Sequence, residues 1–110
     1  YKPIYVFTKG KPSITKWQAN LAQADEMDKR YHAWGQGIGL AVEKIEMFTP
    51  HNGIVIDFFC GGGQTPVACI ITGRNYLAFE VDPNTAEIAR KRVSETQPPL
   101  FTELPHQLEL

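Results

Sequence analysis

A chain of 110 residues, 43% of them hydrophobic, has room for one core and one domain. Its net charge of −1 argues against a strongly basic nucleic-acid-binding module acting alone. No apolar run reaches the roughly 18 residues of a membrane span, and none of signal-peptide length precedes Lys9, so neither a membrane partner nor an export signal is expected.

Charge is unevenly spread. Lys2, Lys9, Lys11 and Lys16 all precede the first acid, Asp25, whereas Glu95, Glu103 and Glu109 follow Arg92 with no further lysine or arginine. A basic lobe could face phosphates, though such a run is more often a solvated surface. Cys60 and Cys69 have neither zinc-ligand spacing nor a His/Cys cluster beside them, so no metal is expected and free thiols in a reducing cytoplasm are the simplest reading.

In chain order, Ile4-Tyr5-Val6-Phe7 predicts a strand near 3–8, and the apolar spacing through Leu40, Ile45 and Phe48 a helix near 38–48. Gly53-Ile54-Val55-Ile56 opens a buried parallel strand over 54–59, followed by a glycine loop and a helix over 65–72. Tyr76-Leu77-Ala78-Phe79 predicts a strand over 76–80 that ends in an acid, Glu80. A last helix over 84–95 follows, with Asn84 as its cap and Pro83 marking the turn, and Arg90, Lys91 and Arg92 suit the dipole at its end. From Gln97 onward, three prolines and few periodic apolar residues read as an extended tail over 97–110. Alternating helices and strands make this an α/β chain with a parallel sheet and right-handed crossovers.

Chemistry concentrates in Asp57-Phe58-Phe59-Cys60-Gly61-Gly62-Gly63-Gln64-Thr65. Glycines there let backbone approach a ligand, and the helix start beyond them offers N–H donors. Glu80 follows at close to the spacing of about 20 residues expected of a ribose-binding carboxylate. A dinucleotide fingerprint needs glycine at the sixth loop position, where this chain has Pro66, so ribose recognition fits better than pyrophosphate recognition. Read blandly, Asp57 braces its turn. Glu80 is harder to dismiss, because an acid directly after four apolar strand residues needs a polar partner.

Phe59-Cys60-Gly61-Gly62-Gly63 matches the F-x-G-x-G motif of the DNA amino-methyltransferases, which methylate adenine N6 or cytosine N4. The wider stretch resembles that family's D-P-F-x-G-S-G-T-T loop, helix, G-x-E strand and trailing helix. Asp57, Phe59, Gly61, Gly63 and Thr65 stand at matching positions, while Phe58 replaces the usual proline, Gly62 the serine and Gln64 the first threonine. Asp82-Pro83 and the run Ala86 to Arg92 resemble the family's D-P-x-x-x-x-x-A-x-x-R ending. Upstream, Tyr31-His32-Ala33-Trp34-Gly35-Gln36 is similar to its H-P-x-x-K-P segment, with Gln36 where lysine is commoner. Ile4 to Lys11 resembles a late strand of the catalytic half that ends in K-G.

The resemblance implies a Rossmann-like fold that binds S-adenosyl-L-methionine, with DNA as the partner of the complete enzyme. It assigns cofactor contact to His32, Gln36, Asp57, Phe59, Cys60, Gly61, Gly63, Thr65, Glu80 and Val81, with Glu80 on the ribose hydroxyls. It divides the chain into the end of a catalytic half with a linker over 1–30, a cofactor-binding region over 31–96 and the tail.

The family holds its flipped base with a D-P-P-Y, N-P-P-Y or S-P-P-Y tetrad, and these 110 residues contain none. Gln97-Pro98-Pro99-Leu100 lacks both the acid or amide and the aromatic, so no residue here is expected to be catalytic. One permuted class places the tetrad early and the cofactor motifs late, and this chain resembles the late part. Three readings remain open: the cofactor-binding portion of such an enzyme, a non-catalytic remnant or partner-dependent subunit, and a dinucleotide-binding module. For the first two, a homodimer or a complementary chain carrying the tetrad is the expected assembly.

Overall fold

Among residues 4–11 and 37–98, which a computed structural model describes, five regular elements follow one another. They are α1 (Ile38–Phe48), β1 (Ile54–Asp57), α2 (Gln64–Thr72), β2 (Asn75–Ala78) and α3 (Pro83–Glu95). Apolar side chains one and two turns apart on α1, namely Ile38, Val42 and Ile45, pack against Val67, Ala68, Cys69 and Ile71 of α2. Full burial of an aliphatic side chain is worth about 1.5–3 kcal/mol, so this seam carries most of the fold. Leu40, one of the apolar residues that predicted the helix, points away from the seam and is exposed.

Short loops set the geometry between the elements. After α1, the amide of Gly53 donates to the Pro50 carbonyl (2.9 Å), and Asn52 takes φ 62°, a left-handed conformation asparagine tolerates. α2 ends at Gly73 (φ 73°), and the Arg74 amide donates back to the Cys69 carbonyl (2.9 Å), so two of the last carbonyls are satisfied by a glycine-based cap. The buried Arg74 then joins two helix ends. Its Nε and Nη2 donate to the Thr49 carbonyl just past α1 (3.1 and 2.8 Å), and its Nη1 to the Thr72 carbonyl of α2 (2.7 Å). A guanidinium at two helix C-termini is favoured by both dipoles.

β1 and β2 pair in parallel, with Ile54 opposite Asn75 and Asp57 opposite Ala78. Backbone pairing continues past both ends, from Asn75 N–H to the Gly53 carbonyl (2.8 Å) and from Phe79 N–H to the Asp57 carbonyl (2.9 Å). Val55 and Tyr76 turn toward the helices and pack on the core. On the opposite face Ile54, Ile56, Phe58, Leu77 and Phe79 are each at least half exposed, with Phe58 and Phe79 stacked at 5.6 Å. The expected buried strand over 54–59 is therefore shorter and covered on one face, because the described helices lie on one side of the sheet.

Two further expectations are corrected. Residues 4–8 form no strand: Ile4, Tyr5, Val6 and Phe7 are all more than half exposed and have no ladder partner among the described residues, and a strand cannot exist without one. The cap of α3 is Asp82, not Asn84. Its carboxylate accepts from the Thr85 amide (2.8 Å) and hydroxyl (2.6 Å), and Pro83 occupies the first helical position, where its missing N–H costs nothing. Residues 1–3, 12–36 and 99–110, with most of the proposed linker and tail, lie outside the described residues.

Candidate functional site

The loop between β1 and α2 meets the end of β2 at the carboxyl edge of the sheet, where α/β folds bind their ligands. Asp57 organises the loop from its β1 end. Its Oδ1 accepts the Phe59 amide (2.9 Å) and its Oδ2 the Thr65 hydroxyl (2.5 Å), so one carboxylate ties the start of the loop to the first turn of α2. The Gly63 amide donates to the Cys60 carbonyl (3.0 Å) and closes a turn, with Gly61 at φ 53° and Gly63 at φ 93°.

The three glycines do different work. A Cβ on Gly61 or Gly62 would meet nothing within 4 Å, so the space over them is open. A Cβ on Gly63 would lie 3.2 Å from both Cα and Cβ of Ala89, so this glycine lets α3 approach the start of α2. Close helix contact, assigned in a dinucleotide fingerprint to its last glycine, is served here by Gly63. The half-buried Arg92 of α3 reaches the same loop, its Nη1 3.5 Å from the Gly62 carbonyl.

Glu80 closes the arrangement from β2. Its Oε2 accepts the Gly61 amide (2.8 Å) and its Oε1 the Asp82 amide (3.2 Å), while the Cys60 amide donates to the Phe79 carbonyl (3.0 Å). Phe59 and Val81, next to this junction in the chain, are 89% and 96% exposed. Beneath it lies a cavity of about 300 Å³ walled by Tyr76, Ala78, Ala86, Ala89 and Val93, with Cys60, Glu80 and Arg90 adding polar atoms. A broader groove of about 750 Å³ runs along the outer face of α3 past Ile88, Arg90 and Lys91, but it holds no residue of the loop or of β2.

Burial and the nearby carboxylates of Asp57 and Glu80 push the Cys60 thiol above its ordinary value. It is thus a neutral thiol at physiological pH and a poor nucleophile. Burial pushes Cys69, inside the helix seam, to about 11. No group of three or more His, Cys, Asp or Glu among the described residues could hold a metal ion, and no described helix is long and apolar enough to cross a membrane.

Of the residues singled out from the sequence, Asp57, Phe59, Cys60, Gly61, Gly63, Thr65, Glu80 and Val81 cluster at this junction. His32 and Gln36 lie outside the described residues. Sequence reasoning missed the contact of Arg92 with the loop and the bond between Glu80 and Gly61. A basic residue at a helix end is already accounted for by the dipole, and a loop amide carries no side-chain signal.

Comparison with known proteins decides the family. Residues 36–91, more than half the chain, match the N6/N4 DNA methylases. The chain belongs to this DNA methylase family. It is 27% identical over 103 residues to the type II methyltransferase M.HinfI of Haemophilus influenzae, covering 89% of this chain and 29% of that protein. Against the type II methyltransferase M2.MboI of Moraxella bovis it is 25% identical, covering 84% of this chain and 34% of the relative. The chain thus spans about a third of the length of these two relatives. Among solved structures it superposes on M1.HpyAVI with a TM-score of 0.52 at 33% identity, over 53% of this chain and 33% of that one. TTHA0409 of Thermus thermophilus, at 21% identity and a TM-score of 0.54 over 90% of this chain and 52% of that one, agrees in fold. The α/β methyltransferase architecture of this N6/N4 methylase homologue follows from both.

Proposed function

We propose that the chain is the S-adenosyl-L-methionine-binding portion of a DNA N6-adenine or N4-cytosine methyltransferase and acts with a complementary portion that supplies the base-holding tetrad. One observation carries the reading: the 2.8 Å bond from the Gly61 amide to Glu80, which brings the open glycine loop and the strand-end acid into one junction. The residues fit the cofactor. Open space over Gly61 and Gly62 admits a ligand against the backbone, and Glu80 keeps a lone pair on each oxygen for a pair of hydroxyls. Phe59 and Val81 offer apolar surface to a purine.

When bound, S-adenosylmethionine supplies an electrophilic methyl group for transfer to the amine of a flipped base. This chain's residues position it: Glu80 fixes the ribose, Asp57 and Thr65 hold the loop against α2, and the bare loop backbone sets the depth of approach. His32 and Gln36 are assigned to the methionine end by the family resemblance alone. The tetrad that would hold the acceptor amine is not among these 110 residues, and a donor without a positioned acceptor loses the proximity that drives transfer. Methylation by this chain alone is therefore expected at background level. A cytoplasmic location belongs to the same reading, as does a homodimer or complementary chain, and the exposed sheet face of Ile54, Ile56, Phe58, Leu77 and Phe79 supports such an assembly.

Calorimetry with S-adenosylhomocysteine and NAD tests the cofactor. Binding of the first and not the second supports the reading, and preference for NAD overturns it. Incubation with tritiated cofactor and mixed-sequence DNA tests the division of labour: sequence-specific labelling by the 110-residue chain alone would contradict it.

A further inference from the structure

We propose that Glu80 is a positioning residue for the glycine loop as well as a ribose ligand: its carboxylate holds the Gly61 amide in place before any cofactor arrives and keeps that bond when the cofactor binds. The proposal rests on the cofactor reading above for its second half only. The first half rests on geometry. Gly61 stands at φ 53°, and a Cβ built on it would meet nothing within 4 Å, so no packing on that side pins it. Its amide donates at 2.8 Å to Glu80 Oε2, and the same carboxylate accepts the Asp82 amide at 3.2 Å through Oε1. One acid therefore ties three segments together: the β1 loop, the end of β2 and the cap of α3.

The lone-pair count makes both roles compatible. An ionised carboxylate has about four acceptor sites, and two are taken here, one on each oxygen. Two remain for a vicinal diol, whose spacing matches a carboxylate. Ligand binding then adds bonds to Glu80 without releasing the loop. The loop's other anchor to β2, from the Cys60 amide to the Phe79 carbonyl (3.0 Å), is backbone only and stops one residue short of Gly61. Loss of the Glu80 carboxylate leaves Gly61 with no tie to β2, and a glycine that is not held samples more backbone conformations than any other residue.

The two roles separate in a pair of variants. In Glu80→Gln the side-chain oxygen still accepts the Gly61 amide, but the charge and half the acceptor capacity offered to ribose are gone. In Glu80→Ala both are lost. Amide exchange by NMR on the ligand-free protein reads the loop, with the Asn75 amide, bonded to the Gly53 carbonyl, reporting that the sheet is intact. Gly61 exchange should rise about tenfold in Glu80→Ala and stay close to wild type in Glu80→Gln, while S-adenosylhomocysteine affinity falls about tenfold or more in both. Gly61 exchange unchanged in Glu80→Ala, with Asn75 still protected, overturns the loop-holding role whether or not the cofactor binds. If the loop responds as expected but no variant, wild type included, binds S-adenosylhomocysteine, the cofactor reading fails and the bracing role stands.

Discussion

The two faces of the β1–β2 sheet are built from the same kinds of residue and fare differently. Val55 and Tyr76 face helices and join the core, whereas Ile54, Ile56, Phe58, Leu77 and Phe79 face away from them and stay exposed. Parallel sheets are ordinarily covered on both faces, and their strands read as unbroken apolar runs for that reason. Ile54-Val55-Ile56 is such a run. It reads as a strand suited to cover on both faces, and among the described residues only one face has it. The helix-covered face builds the core, and the other face leaves five large apolar side chains at least half exposed.

Truncations on the two faces should differ most. Ile38→Ala, in the α1–α2 seam, should cost about 2–5 kcal/mol of unfolding free energy. Ile56→Ala on the bare face should change the stability of the monomer by about 0.5 kcal/mol or less. Urea denaturation followed by circular dichroism, at a concentration below that of self-association, measures both, and comparable losses would mean that this face is buried within the monomer. Arg74→Ala should come next, at about 1.5–3 kcal/mol, because it removes a charged donor from the carbonyls of Thr49 and Thr72.

Assembly sharpens the same contrast. An exposed apolar face, and sheet edges without a strand partner among the described residues, favour association, so sedimentation at micromolar concentration should show self-association that Ile56→Lys or Leu77→Lys weakens. A monomer independent of concentration would show that some other segment covers the face. The smallest effect concerns pH. With its folded value raised to about 11 from the ordinary 9.0, Cys69 contributes stability that is complete below the ordinary value and lost as pH climbs through about 11. Thermal melts along that range should show an alkaline decline that flattens in Cys69→Ala.

What the sequence disclosed, and what it concealed, follows from the range of each interaction. α1 falls on its expected residues, and the other four elements begin or end within two residues of expectation, because periodicity and glycine punctuation are local signals. The strand expected near 3–8 failed because strand formation depends on a partner, which the local apolar run does not reveal. Asp82 was passed over as a cap because a carboxylate and an asparagine compete for that role two residues apart, and the proline between them settles it for the earlier. At the site, Asp57, Gly61 and Glu80 were legible through spacing and residue type. That Glu80 reaches back to the Gly61 amide was not, since the bond joins residues 19 apart in sequence and one partner is backbone.

The cofactor reading depends on the ligand sitting where the glycine loop meets Glu80. The most direct test is a titration of the labelled protein with S-adenosylhomocysteine, followed residue by residue in amide NMR spectra. The largest shifts should cluster at Phe59 to Thr65 and Glu80 to Asp82, and they should weaken in Glu80→Ala. Shifts centred instead on Ile88 and Lys91, along the outer groove of α3, would contradict that placement.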